Sequence, residues 1–215
     1  MHQALLVATT LYASDSLQPL QSPTKDAQAL QDVLSREEVG GFDSVTALVN
    51  ESRSTLMRAI EDCFRAAQSD DLVLLSISGH SAKDADDALY FLAADSHEVA
   101  LDRTAVECDF VLHHAARSRC KAVMIILDCA HAGAFTLPSR ENMTIIGASS
   151  AHGAAYDDPS FTQMIVEGLS TGDADLDWDG LISARELYQY GTSSPTRRFA
   201  SRPPSSEHAA GLRRP

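Results

Sequence analysis

Long hydrophobic runs are missing from this sequence. Runs such as Ala4 to Ala8 and Val123 to Leu127 are far short of the ~20 residues that cross a bilayer. No basic stretch followed by an apolar one opens the chain, so neither membrane insertion nor Sec export is expected. Cysteine is scarce too. Cys63, Cys108, Cys120 and Cys129 form no CxxC pair and no Cys/His cluster, which argues against a disulfide scaffold or a zinc site and for a reducing cytoplasm. Positive charge is in short supply, with 17 Lys and Arg against 30 Asp and Glu, a net charge of −13, and no basic cluster precedes residue 197. A surface that tracks phosphates is hard to build from this balance, so nucleic acid is disfavoured as a partner and basic substrates are favoured. The 215 residues, 44% hydrophobic, suffice for one domain with a real core and not for two.

Short apolar runs alternate with helical patterns, the signature of a mostly parallel sheet of about six strands with helices on both faces. Strands are expected at Ala4–Ala8, Val45–Val49, Leu72–Ile77, Tyr90–Ala93, Val123–Leu127 and Thr144–Gly147. Between them, Ser22 and Pro23 open a helix carrying Ala27, Leu30, Val33 and Leu34. Leu56, Ile60 and Phe64 mark a second helix, Val106 and Phe110 a third, and Phe161, Met164, Ile165 and Leu169 one face of another. A last helix is expected around Leu187 to Tyr190. From 191 to 215 the chain is rich in Arg, Pro and Ser and reads as a tail or linker beyond a domain of residues 1–190.

Open α/β sheets place their chemistry at the carboxyl ends of the strands. Two of those ends are unusual: Ser78, Gly79, His80 and Ser81 follow one buried run, and Asp128, Cys129, Ala130, His131, Ala132 and Gly133 follow another. A lone histidine in such a loop is more often structural than catalytic. The pairing of the two segments, with His80 and Ala130 fifty positions apart, changes that balance.

The segments ALLVATTLY, SPTKDAQAL, LLSISGHS, LYFLAADS, IILDCAHAGAF, IIGASSA and DADLDWDGLISARELYQY resemble the caspase and metacaspase clan of cysteine peptidases, in particular bacterial caspase-like proteins. The resemblance implies a caspase-like three-layer sandwich. It also implies a Ser-Gly-His-Gly block followed about fifty residues later by Asp-x-Cys-His-x-Gly. This chain departs twice, with Ala130 at the nucleophile position and Ser81 in place of glycine. A methyl group supplies no thiolate. Cys129 is no substitute, because adjacent strand residues face opposite ways. Two readings stay open: an active peptidase disarmed by a Cys→Ala substitution, or a natural pseudoprotease that binds without cutting.

With a thiol at 130, the resemblance implies acyl-enzyme chemistry in which His80 moves the proton and the backbone N–H groups of Ser81 and residue 130 hold the oxyanion. No cofactor is required for that chemistry. Asp128 ends a buried strand, where a carboxylate wants a cationic partner, and Asp26 lies in the first turn of the first helix. The plain reading of Asp26 is a helix-dipole acid worth about 0.3–1 kcal/mol. The resemblance assigns Asp26, Ser78 and Asp128 to an S1 pocket for Arg or Lys. A protein substrate with a basic P1 residue, and a regulatory protein partner, follow as expectations.

Asp175, Asp177, Asp179, Gly180 and Glu186 occupy positions 1, 3, 5, 6 and 12 of an EF-hand-type loop, with the Leu181 carbonyl at position 7. Calcium is the expected ligand, and an acidic cap on the last helix is the alternative. Three function classes result: an endopeptidase, a peptide-binding scaffold, and a calcium-responsive interaction module. Among the tail arginines, Arg197, Arg198 and Arg202 are candidate self-processing sites, against the plainer reading of a linker. Tyr12 is expected to border the substrate groove, Asp95 to be structural, His131 to lie off the catalytic face, and His113, His114 and His152 to have surface or packing roles.

Overall fold

The computed structural model describes residues 1–132, 142–148, 160–192 and 212–213. Two strands with hardly a polar residue, β3 (Leu72–Ser78) and β7 (Ala122–Asp128) in chain order, are buried along their whole length. Such runs fit only a position covered on both faces, and they form the centre of a parallel sheet. Around them lie β1 (His2–Ala8), β2 (Ser44–Val49) and β8 (Met143–Ala148), in the order β2-β1-β3-β7-β8. Every pairing in this sheet is parallel.

Side-chain alternation divides the core in two. Leu5, Val7, Leu75, Ile77, Ile125 and Leu127 face α2 (Arg53–Ala66) and α4 (Cys108–Arg117). Leu6, Leu74, Met124 and Ile126 face α1 (Pro23–Leu34), α5 (Phe161–Thr171) and α6 (Ala184–Thr192). Pro23 takes the first turn of α1, while Ser22 makes no side-chain cap bond. Asp95 serves the start of α2, accepting the Arg53 N–H at 2.7 Å. Among the described residues no helix is long and apolar enough to cross a membrane.

Three expectations are corrected. Among the described residues the parallel sheet has five strands rather than about six, because the Tyr90–Ala93 run forms β5 (Leu89–Phe91) in a separate antiparallel sheet between β4 (Ser81–Lys83) and β6 (Val106–Glu107). The chain turns back on itself between Asp84 and Ala88, and a tight return of this kind pairs antiparallel, whereas the parallel sheet needs long crossovers. Val106 therefore sits on β6 rather than on a helix, after a 3-10 turn at Glu98–Ala100 and the one-turn α3 (Leu101–Thr104). Finally, α6 runs to Thr192, and Leu212–Arg213 forms β10 against β9 (Leu181–Ile182). Leu212 is 2% exposed in the core with Ile182, so this one described piece of the tail packs on the domain. Arg197, Arg198, Arg202 and His152 lie outside the described residues.

Candidate active site

The site begins where β3 and β7 end in register, with Ser78 opposite Asp128. The chain leaves β3 through Gly79, whose φ is +154°, and a Cβ there would lie 3.0 Å from the Tyr12 hydroxyl and 3.2 Å from the Thr9 carbonyl. Only glycine meets both conditions. His80 follows, and the Ser81 hydroxyl donates to the Ala130 carbonyl. The two strand ends singled out by sequence are thus in contact.

His80 Nε2 lies 2.9 Å from the Gln18 carbonyl oxygen. A carbonyl only accepts, so Nε2 carries a proton, and in the neutral ring the lone pair is on Nδ1. The imidazole also packs on the Tyr12 ring, centroids 4.9 Å apart and planes inclined by 42°. Sequence reasoning missed Gln18, because it acts through its backbone and its residue type carries no signal.

Ala130 offers a methyl group, and His131 beyond it is exposed in a left-handed turn with φ +61°. Cys129 is buried in the core with residues of α2 and α4. Burial pushes its thiol up to about 12, only partly offset by the neighbouring Ser81 side chain, so it stays an unreactive thiol at neutral pH.

Asp26 and Asp128 are only 1% and 6% exposed, and both meet the N-terminal turn of α5. Ser160 Oγ donates to Asp26 at 2.6 Å and Gln163 Nε2 at 2.9 Å. The Thr162 N–H and hydroxyl donate to Asp128 Oδ2 at 3.0 and 2.8 Å. Ser160 and Gln163 also form a reciprocal capping box. The positive end of a helix thus faces two buried carboxylates, an arrangement the reading of Asp128 as an acid awaiting a cation did not anticipate. The Ser160-x-x-Gln163 spacing before an apolar run was the available signal. On the same face as Asp128, the buried Ser78 hydroxyl has no hydrogen-bond partner among the described residues.

In the acidic loop, carboxylate oxygens of Asp175, Asp177 and Glu186 lie within 4.8 Å of one another. Asp179 is outside that group and accepts the Leu181 N–H at 2.7 Å, while the Leu181 backbone enters β9. Glu186 Oε1 accepts from the Leu176 N–H at 2.8 Å, and Oε2 accepts from the N–H and hydroxyl of Ser183, each at 2.7 Å. Asp175 accepts the N–H of Gly180, whose φ is +88°. The donor set and the glycine turn suit a hard cation, and Glu186 also caps α6.

The pattern of the caspase domain matches residues 1–188. The chain belongs to the caspase-domain family. Caspase-1 from Spodoptera frugiperda superposes with a TM-score of 0.61 at 17% identity, over 79% of this chain and 70% of that one. The structure of pro-sf-caspase-1 gives 0.64 at 14% identity, over 94% and 88%. The Drosophila initiator caspase Dronc gives 0.60 at 12% identity, over 78% and 64%. No curated protein sequence matches the chain. At these identities the likeness is one of fold, while the family match places the chain in a family of cysteine peptidases. The caspase fold accounts for the five-stranded parallel sheet and for strand ends that converge on one edge.

Proposed function

We propose that this caspase domain is built to cut protein substrates after Arg or Lys, and that alanine at position 130 holds it in a form that binds without cutting. The observation that supports this most is the junction of the two strand ends, where His80 and Ser81 follow β3 and the Ser81 hydroxyl reaches the Ala130 carbonyl. A thiol at 130 would pass its proton to Nδ1 of His80 and attack the scissile carbonyl. The imidazolium would then protonate the leaving amine, and water would release the acyl group. The N–H groups of Ser81 and residue 130 are the assigned oxyanion donors.

For the P1 residue, Asp26 and Asp128 supply negative charge and Ser78 supplies a buried acceptor without a partner among the described residues. A guanidinium, with five donors and no acceptor, suits such a lining. Installing cysteine at position 130 and assaying peptides with Arg, Lys, Asp and norleucine at P1 tests the assignment. A regulatory protein partner and a cytoplasmic setting belong to the same reading.

A second reading concerns the acidic loop, where the convergence of Asp175, Asp177 and Glu186 favours calcium. The ion would tie the loop to α6 and to β9, and with it β10, stabilising the fold without taking part in chemistry. Calcium at about 100 times its dissociation constant should add about 2.7 kcal/mol to stability and raise the melting temperature. Glu186→Gln should abolish that response. A melting curve indifferent to calcium and to chelator would leave Glu186 as a helix cap alone.

A further inference from the structure

Tyr12 occupies the place of a missing rung in the sheet. In a parallel ladder, a residue donates its N–H to one carbonyl on the neighbouring strand and accepts from the N–H two positions further along that strand. β1 and β3 run in register as far as Ala8 and Ser78, and beyond them Thr9 still donates its N–H to the Ser78 carbonyl at 3.0 Å. The next bond of that ladder would run from the His80 N–H to the Thr9 carbonyl. A single oxygen stands between them: the His80 N–H donates to the Tyr12 hydroxyl at 2.8 Å, and that hydroxyl donates to the Thr9 carbonyl at 2.9 Å.

We infer that Tyr12 is a positioning residue of the proteolytic site, its hydroxyl a wedge that holds the ends of β1 and β3 one oxygen apart and so aims His80 at residue 130. The inference rests on the peptidase reading above. Three features of the surroundings agree with it. Glycine is required at position 79 in part because the wedge fills the space a Cβ would take, 3.0 Å from the hydroxyl. The Tyr12 ring lies against the imidazole, so the residue that sets the His80 backbone also supports one side of its ring. Burial drives the phenol well above its usual range, with the His80 N–H bond opposing, so the hydroxyl keeps the proton it donates to Thr9. With Gln18 at Nε2, the histidine is then held at its backbone, its ring and its far nitrogen.

Tyr12→Phe separates positioning from mere structure, because it deletes the wedge and keeps the ring. Without the hydroxyl the rung can close directly, so the fold should survive while His80 is drawn toward β1. On the chain with Ala130 as it stands, through-hydrogen-bond coupling between the His80 amide nitrogen and the Thr9 carbonyl carbon should be absent in the parent and appear in Tyr12→Phe. In an Ala130→Cys background, the same change should lower kcat about 10- to 100-fold, the size expected of an ångström-scale misplacement, while KM holds.

An unchanged kcat overturns the inference, even if the variant melts at a lower temperature, since that pattern marks a tyrosine that only stabilises. It is equally overturned if the coupling fails to appear and the His80 amide resonance does not move. An Ala130→Cys parent that cleaves nothing overturns the peptidase reading instead, and the coupling measurement then judges the wedge alone.

Discussion

Ala130→Cys should convert a silent domain into a peptidase, with cleavage after Arg or Lys at least about 10³-fold above the Ala130 background. The expectation is large because, on the proposed reading, the substitution supplies the one group the site lacks. Nδ1 of His80 carries the lone pair, since Nε2 is held by the Gln18 carbonyl. Ser81 already touches the backbone of residue 130 through its hydroxyl. Cys129 does not compete, because its buried thiol is pushed up to about 12. His80→Ala in the same background should return cleavage to the starting level, as nucleophile and base act as a unit. Peptides that bind the Ala130→Cys protein and stay intact would refute the peptidase and leave a scaffold that captures basic segments.

Asp128→Asn, made in the thiol-bearing protein, should remove most of the preference for a basic P1. Truncating one side of a buried charge pair costs about 2–5 kcal/mol, or roughly 30- to 3,000-fold in kcat/KM for an Arg peptide. Asparagine keeps an oxygen to accept from Thr162, so the start of α5 should remain in place and cleavage of a norleucine peptide should barely change. Asp26→Asn should act in the same direction, since Asp26 contacts the same helix turn through Ser160 and Gln163. Equal kcat/KM for Arg and norleucine peptides before any substitution would remove Asp26, Ser78 and Asp128 from the S1 assignment.

The sequence by itself determined the parallel sheet, the two strand ends and the alanine at position 130. The reason is local. β3 and β7 are apolar over lengths only a doubly covered strand tolerates. A glycine followed by histidine marks a strand exit, and alanine has no chemistry in any fold. The loop from Asp175 to Glu186 was legible for the same reason, since its glycine and acids fall at fixed spacing within twelve positions.

Tertiary structure decided what fills the space between those pieces. Tyr12 reaches His80 across 68 positions, and Ser160 reaches Asp26 across 134. Gln18 acts through a carbonyl that every residue type possesses. Pairing of β10 with β9 depends on where Ile182 opens the core to Leu212. The Tyr90 run became a satellite strand because of the turn between Asp84 and Ala88, and nothing in its own composition distinguishes it from a sixth parallel strand. Periodicity and spacing report neighbours along the chain. A hydroxyl wedged between two strands, or a helix end turned toward two buried acids, follows only from which surfaces the folded chain brings together.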